Sequence, residues 1–180
     1  IESGMMELFE GDFDLGDVLA GCARMMRERA DAGKVTIRLV VPDNFPWLFG
    51  DERMVRQIVL NLLSNAIKFS LENGEVVLSA SIDEAGSCLI QVTDSGIGIA
   101  PGELENIMEP FVQVESGMNH KYEGTGLGLA LVKSMAEMHD AEVVIESAAN
   151  AGTVVTVEIP AVRVRSNMSA SVGGASNASD

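Results

Sequence analysis

Asp51-Glu52-Arg53-Met54-Val55-Arg56-Gln57-Ile58-Val59-Leu60-Asn61-Leu62-Leu63-Ser64-Asn65-Ala66-Ile67-Lys68-Phe69 is the stretch around which the rest of the chain is organised. Val55, Ile58, Val59, Leu62, Leu63 and Ala66 recur at three- and four-residue spacing, which predicts a helix with one buried face. Gly50-Asp51 supplies an N-cap, and Glu52 places negative charge in the first turn, where the helix dipole favours it. Glu72-Asn73-Gly74 is a stop-and-turn signal. A second stripe needs its own reason. Gln57, Asn61, Asn65 and Lys68 fall at i, i+4, i+8 and i+11, and at about 100° per residue they share one edge beside the apolar face. Asn is a poor helix-interior residue, because its amide competes for the backbone. A half-exposed, hydrogen-bonded rim explains this edge, and so does a pair of amide oxygens and an ammonium that face a polyanion with its cation.

A chain of 180 residues, 47% of them hydrophobic, has room for one domain with short appendages and ample material for one core. It holds no run of about eighteen apolar residues, so no segment reads as a membrane span, and no secretory signal is visible. It opens at Ile1 in mid-phrase and reads as a piece of something longer, expected to work in the cytoplasm even if the parent is membrane-anchored. The net charge of −15, from 12 Lys+Arg against 27 Asp+Glu, argues against a nucleic-acid surface, which needs a basic stripe. It also means that a phosphate ligand must be held by local devices, since the overall field repels it. Cys22 and Cys88 lack metal or redox spacing and read as buried apolar residues of a reducing compartment. His120 and His139 lie in no zinc pattern. His139, near a helix end, is expected at the surface or as a charge favourable to the helix dipole, and Met25, Met26, Met135 and Met138 as core filler.

In chain order, residues 1–13 read as the remnant of an upstream helix, 14–160 as one domain and 161–180 as a disordered tail rich in Ser, Ala, Gly and Asn. Asp14 caps a helix from about Leu15 to Ala30, ended by Gly33. Lys34–Val41 alternates as a half-buried strand, and Trp47-Leu48-Phe49 adds a short extended piece. After the organising helix come two strands, about Glu75–Ile82 and Cys88–Thr93, whose short link predicts an antiparallel hairpin. Pro101 opens a short helix to about Met108. Glu109–Glu123 lacks periodicity and reads as a long mobile loop, a length typical of lids and binding loops. Gly124-Thr125-Gly126-Leu127-Gly128-Leu129 opens a helix to about His139, and strands at Val143–Glu146 and Thr153–Ile159 follow. This order predicts an α/β (α+β) fold: a two-layer sandwich with helices on one face of a mixed, largely antiparallel sheet.

Two glycine-rich segments carry the chemistry. Asp94-x-Gly96-x-Gly98 follows a strand directly, where missing side chains let a backbone turn sharply and approach a ligand, and Asp94 can accept a hydrogen bond from an exocyclic amine. Gly124-x-Gly126-x-Gly128 leads into a helix start, whose free N–H groups form an anion site. Either segment alone is as easily a tight turn. Neither is a dinucleotide fingerprint, which needs a different spacing and a βαβ unit, nor a P-loop, which needs Gly-Lys-Ser/Thr.

The order of the pieces is more specific. Asn61 to Phe69 resembles the N box of the ATP-binding domain of sensor histidine kinases, Asp94 to Ile99 the G1 box, Glu109-Pro110-Phe111-Val112-Gln113 the F box, and Gly124 to Leu129 the G2 box. The resemblance covers about Asp12 to Pro160. It implies the Bergerat-type fold shared with gyrase, MutL and a cytosolic chaperone family, with ATP and Mg²⁺ as ligands. On that resemblance Asn61 and Asn65 hold Mg²⁺ against the phosphates, amide oxygens being suited to a hard cation that takes its negative ligands from phosphate. Lys68 reaches the phosphates as a point charge. Phe69, where the family often has Tyr, lies against the adenine, whose amine Asp94 reads. Gly96, Gly98, Ile99, Gly124, Thr125, Gly126, Leu127, Gly128 and Leu129 bring backbone or wall to the nucleotide. Lys121, or His120, contacts the γ-phosphate. Phe111 is as readily a plug for the closed loop as a ligand contact.

Phosphoryl transfer asks for in-line positioning and charge neutralisation more than for covalent help. The resemblance implies a protein-histidine kinase whose acceptor histidine sits on a dimerisation domain of the same parent, upstream of Ile1, and whose phosphate passes to a response-regulator receiver domain. The chain itself is expected to be monomeric within a homodimeric parent, to bind Mg-ATP without phosphorylating itself, and to touch neither nucleic acid nor membrane. A degenerate, nucleotide-dependent regulatory scaffold is the alternative. A gyrase- or MutL-type ATPase normally carries a transducer domain, for which no room remains. An anti-sigma serine kinase shares the fold, and the F box and dimerisation-helix remnant favour the histidine kinase over it.

Overall fold

The computed structural model describes residues 7–104, 106–110 and 126–166. In chain order the elements are β1 (Gly11–Phe13), α1 (Leu15–Met25), α2 (Arg27–Ala32), β2 (Thr36–Val40), β3 (Trp47–Gly50), α3 (Glu52–Phe69), β4 (Glu75–Ile82), β5 (Cys88–Asp94), α4 (Pro101–Leu104), α5 (Gly128–Glu137), β6 (Glu142–Ser147), β7 (Thr153–Ile159), a 3-10 turn (Ala161–Arg163) and β8 (Val164–Arg165). The main sheet has the strand order β2-β4-β5-β7-β6. Only the β2–β4 pair is parallel; the other three pairs are antiparallel. One face of that sheet packs under α1, α3 and α5, so the molecule is the mixed two-layer sandwich that the sequence predicts.

Alternation fixes which strand residues enter the core. Val76, Leu78 and Ala80 of β4 and Cys88, Ile90 and Val92 of β5 are buried, while Val77, Ser79, Leu89 and Gln91 between them are half-exposed on the other face. Over this layer α3 lays Met54, Val55, Ile58, Val59, Leu62, Leu63, Ala66 and Ile67, all buried. Each of these side chains other than Ala66 contributes about 1.5–3 kcal/mol by leaving water. That outweighs the roughly 0.7 kcal/mol at most that each Asn costs in helix propensity. The polar stripe is therefore tolerated because the apolar face decides the helix. Cys22 and Cys88 are both buried, as read. Burial pushes the Cys22 thiol up, with Arg56 opposing, and the Cys88 thiol up to about 12, so both remain protonated and inert.

Several expectations are corrected. The first helix breaks at Met26 into α1 and α2, and Met25 is 61% exposed, not core filler. Gly33 does end α2, as its C-cap, but the left-handed turn falls to Lys34, at φ 55, which lets Val35 N–H reach the Ala30 carbonyl at 2.9 Å. Strand β2 is half-buried only at Ile37, because it lies at a sheet edge and leaves Leu39 and Val40 exposed.

Both chain ends of the domain differ from the reading as well. Gly11–Phe13 is a strand rather than a helix remnant, and Ala161–Arg165 is ordered rather than tail. Together β1, β3 and β8 form a second, three-stranded antiparallel sheet. Arg163 clasps it, with hydrogen bonds to Glu10 (2.6 Å), the Phe49 carbonyl (3.2 Å) and Asp140 (3.0 Å). Residues 1–6, 105, 111–125 and 167–180 lie outside the described residues, and with them the lid reading, the F-box Phe111, His120 and the far tail.

Candidate functional site

The C-terminal half of α3 forms one wall of an open cleft. Asn65, Ala66 and Phe69 come from α3, Asp94 from the end of β5, and Ile97, Gly98 and Ile99 from the turn that follows. Leu129, in the first turn of α5, closes the side opposite the β5–β7 floor. The lining is mainly apolar, with Asn65, Asp94 and Thr153 as its polar side chains, which suits a flat aromatic ligand oriented by a few fixed polar groups.

The turn after β5 is built by glycines that have no alternative. A Cβ on Gly96 would run into the Phe69 carbonyl oxygen and stand 2.7 Å from Asp94 Oδ1. Gly98 sits at φ +64, and a Cβ there would strike the Ala148 carbonyl oxygen. The turn is tied on both sides: Ile97 N–H donates to the Phe69 carbonyl (3.2 Å), and Asn150 N–H to the Ile97 carbonyl (2.7 Å). Ile99 N–H donates to Ser147 Oγ at 2.8 Å, and that hydroxyl also bonds the Gly152 carbonyl and Thr153 Oγ1, each at 2.8 Å. The β6–β7 hairpin thus braces the glycine turn, a role that the sequence reading of its two strands did not assign.

Asp94 is 8% exposed and accepts the Gly96 N–H at 2.8 Å. Burial pushes its carboxyl up, against the backbone hydrogen bonds of Gly96 and Thr153. A buried carboxylate aimed at a cleft is poised to accept from an amine. On α3, Gln57 Nε2 donates to Asn61 Oδ1 at 3.0 Å, one turn before Asn65, so part of the polar stripe is a hydrogen-bonded rim. An amide oxygen has two lone pairs, and Asn61 retains one for a further partner. Lys68 Nζ stands 4.9 Å from the centre of the Phe69 ring. Burial and then Arg29 pull the Lys68 ammonium below its usual range.

Of the predicted site residues, Asn65, Phe69, Asp94, Gly98, Ile99 and Leu129 line the cleft. Asn61 and Lys68 share their edge of α3 without lining it, and Gly96 shapes the turn from behind. Gly126 has φ +67, Leu127 precedes α5, and Gly128 opens that helix with its Cα side 3.8 Å from Asn65 Nδ2 at the position a Cβ would take. Lys121, Gly124 and Thr125 lie outside the described residues. Among the described residues no group of three or more His, Cys, Asp or Glu gathers for a metal. A divalent cation beside the α3 edge would draw no carboxylate cluster from the described residues, and amide oxygens of the kind that Asn61 and Asn65 carry suit such a hard cation.

The surface histidine expected at position 139 is a core residue, 2% exposed. Its Nε2 accepts the Asp51 N–H at 2.9 Å, and its Nδ1 lies 2.8 Å from the Met135 carbonyl, which defines a neutral ring protonated at Nδ1. Asp51, 1% exposed, caps α3 through Arg53 N–H and Met54 N–H and also accepts the Phe9 N–H at 2.9 Å. Burial alone would raise this carboxyl; the hydrogen bonds of Arg53, Phe9 and Met54 and the Arg53 charge hold it at about 2.

Comparison with known proteins agrees with this architecture. The model of the family described as histidine kinase-, DNA gyrase B- and HSP90-like ATPase matches residues 50–163. Histidine protein kinase DivJ of Caulobacter vibrioides is 40% identical over 160 residues, 89% of this chain and 26% of that protein. An uncharacterized sensor-like histidine kinase of Rhizobium meliloti is 39% identical over 160 residues, 89% of this chain and 30% of its own length. The chain therefore spans less than a third of these curated relatives. Among solved structures, full-length ShkA in complex with AMPPNP superposes with a TM-score of 0.77 at 32% identity, over 89% of this chain and 32% of that one. The nucleotide-free catalytic domain of histidine kinase ThkA superposes with a TM-score of 0.71 at 26% identity, over 86% of this chain and 96% of that one. With a family model over residues 50–163 and the same fold in those solved domains, the chain belongs to the histidine kinase-, DNA gyrase B- and HSP90-like ATPase family.

Proposed function

We propose that this chain is the ATP-binding catalytic domain of a sensor histidine kinase, working in the cytoplasm and presenting the γ-phosphate of Mg-ATP to a histidine on a separate dimerisation domain. The observation that carries the reading is one cleft that unites Asn65 of α3, the buried Asp94 carboxylate and the Gly98 turn. In this reading Asp94 accepts from the adenine amine, and the apolar walls of Ile97, Ile99 and Leu129 exclude water around the ring. Phe69 supplies a ring face. Asn61 and Asn65 offer amide oxygens to Mg²⁺, which when bound neutralises phosphate charge. Lys68 adds a cation on the same edge of α3. Gly126, Leu127 and Gly128 bring backbone N–H groups at the start of α5 towards the phosphates; Gly124 and Thr125 keep the nucleotide contact, and Lys121 the γ-phosphate contact, that the resemblance implies.

His139 is not the phosphate acceptor in this scheme, since both of its ring nitrogens are engaged and the ring is buried. The acceptor belongs to the dimerisation domain, and a response-regulator receiver domain takes the phosphate next. Titration of the chain with AMPPNP by calorimetry, with and without Mg²⁺, tests the binding step. The expected result is Mg²⁺-dependent binding that Asn65→Ala weakens about tenfold or more, the loss of one charge-assisted contact. Equal affinity with and without Mg²⁺, unchanged in the variant, overturns the role given to the amides.

A further inference from the structure

Helices α3 and α5 pack side by side in opposite directions. The end of α3 near Asn65 meets the start of α5 at Gly128, and the start of α3 at Asp51 meets His139, just past the end of α5. At the far end from the cleft the two helices are pinned by a buried polar bond, Asp51 N–H to His139 Nε2 at 2.9 Å. The ring is locked in turn by Met135, through Nδ1 at 2.8 Å, and by Gly50, whose absent Cβ would stand 2.8 Å from His139 Cδ2. At the cleft end, among the described residues, no polar bond links Asn65 to Gly128; a Gly128 Cβ would stand in van der Waals contact, 3.8 Å from Asn65 Nδ2.

We propose that His139 is a positioning residue for the nucleotide site: by pinning α5 to the first turn of α3, it sets the width of the cleft between Asn65 and the start of α5. The lever is simple. The ten residues of α5 make a rod about 15 Å long, so a tilt of about 4° around its pinned end moves the other end by about 1 Å. A displacement of that size separates a good hydrogen bond from none. Asp51 brings a third partner to the same pin, because its carboxylate also accepts the Phe9 N–H from the segment leading into β1. The proposal rests on the nucleotide reading of the cleft.

The test is calorimetric titration of folded chain with Mg-AMPPNP, with thermal unfolding measured in parallel. In His139→Gln the side-chain amide reaches the place of Nε2 and can still accept from Asp51 N–H. His139→Leu fills the space with no acceptor, and His139→Asn keeps a donor for Met135 while withdrawing from Asp51. The expected outcome is a dissociation constant raised about fivefold or more in the Leu and Asn variants, the usual range of coupling between linked sites, with the Gln variant within about twofold of wild type. A merely structural histidine lowers the melting temperature and leaves the affinity of the folded protein unchanged. Leu and Asn variants that bind within twofold of wild type therefore overturn the proposal, as does a Gln variant as weak as the Leu one. A wild type that takes up no nucleotide overturns the underlying reading and this one with it.

Discussion

At the scale of single residues, Asp94 is where burial and the proposed function oppose each other. Burial raises its carboxyl above the 3.8 of an ordinary aspartate. An acid that is harder to ionise in the folded state withdraws stability as pH rises through that interval, so the unliganded fold carries a penalty at neutral pH. An adenine amine that donates to the carboxylate relieves it. Affinity for the nucleotide should then fall on acidification, beginning above the usual carboxylate range. Asp94→Asn should bind about tenfold more weakly at neutral pH, the worth of a hydrogen bond to a charged group, and should lose this pH dependence. The ratio of wild-type to variant affinity at each pH, measured by calorimetry, cancels the titration of the phosphate chain itself. A ratio that stays constant from neutral to acid pH removes Asp94 from adenine recognition. His139 teaches the complementary lesson. Its spacing carries no sign of burial, because its partner Asp51 is 88 residues away in the chain and meets it only after the helices have packed.

At the scale of elements, legibility followed the range of the force involved. Helix α3 and strands β4 and β7 run over the residues read for them from the sequence, and in α3 and β4 one buried face repeated over many residues is a local signal. Of the three-stranded sheet, β3 alone reads from the sequence as an extended piece, and β1 and β8 left no such trace. Strand β1 has three residues and β8 two, and they exist through pairing with β3 and through the Arg163 contacts across the chain. The glycine turn lies between these cases: its motif is legible, and its brace from Ser147 and Gly152 is not, being a contact between distant strands. Gly98 makes the argument testable. Its φ of +64 and the Ala148 carbonyl in the path of a Cβ predict that Gly98→Ala costs about 1–3 kcal/mol. At this chain size each kcal/mol lowers the melting temperature by roughly 2–4 °C. Nucleotide affinity should fall with it, since Gly98 lines the cleft. Gly102→Ala, in α4 with open space around the new methyl, is the control, and should leave both quantities where they were. Equal behaviour of the two variants in thermal unfolding would mean that the turn is not strained as described.

At the scale of the whole molecule, a net charge of −15 faces a ligand of the same sign. Two ranges of electrostatics then compete. The field of the whole chain acts over the Debye length and repels a triphosphate during approach. On the proposed reading, the local devices act only on contact: the amides of α3, Lys68, and the backbone N–H groups that open α5. Salt separates the two, because raising ionic strength from 0.01 to 0.15 M shortens the Debye length from about 30 to about 8 Å while leaving close contacts in the cleft little changed. Association should therefore accelerate with salt, and dissociation should stay nearly constant. A basic nucleic-acid binder shows the opposite slope. Stopped-flow mixing of the chain with a fluorescent ATP analogue at fixed free Mg²⁺ reads both rates, with the uncharged nucleoside as a control that salt should not affect. An association rate that falls as salt rises would mean that Lys68 and its neighbours govern the encounter, and that the acidic surface lies too far from the mouth of the cleft to be felt there.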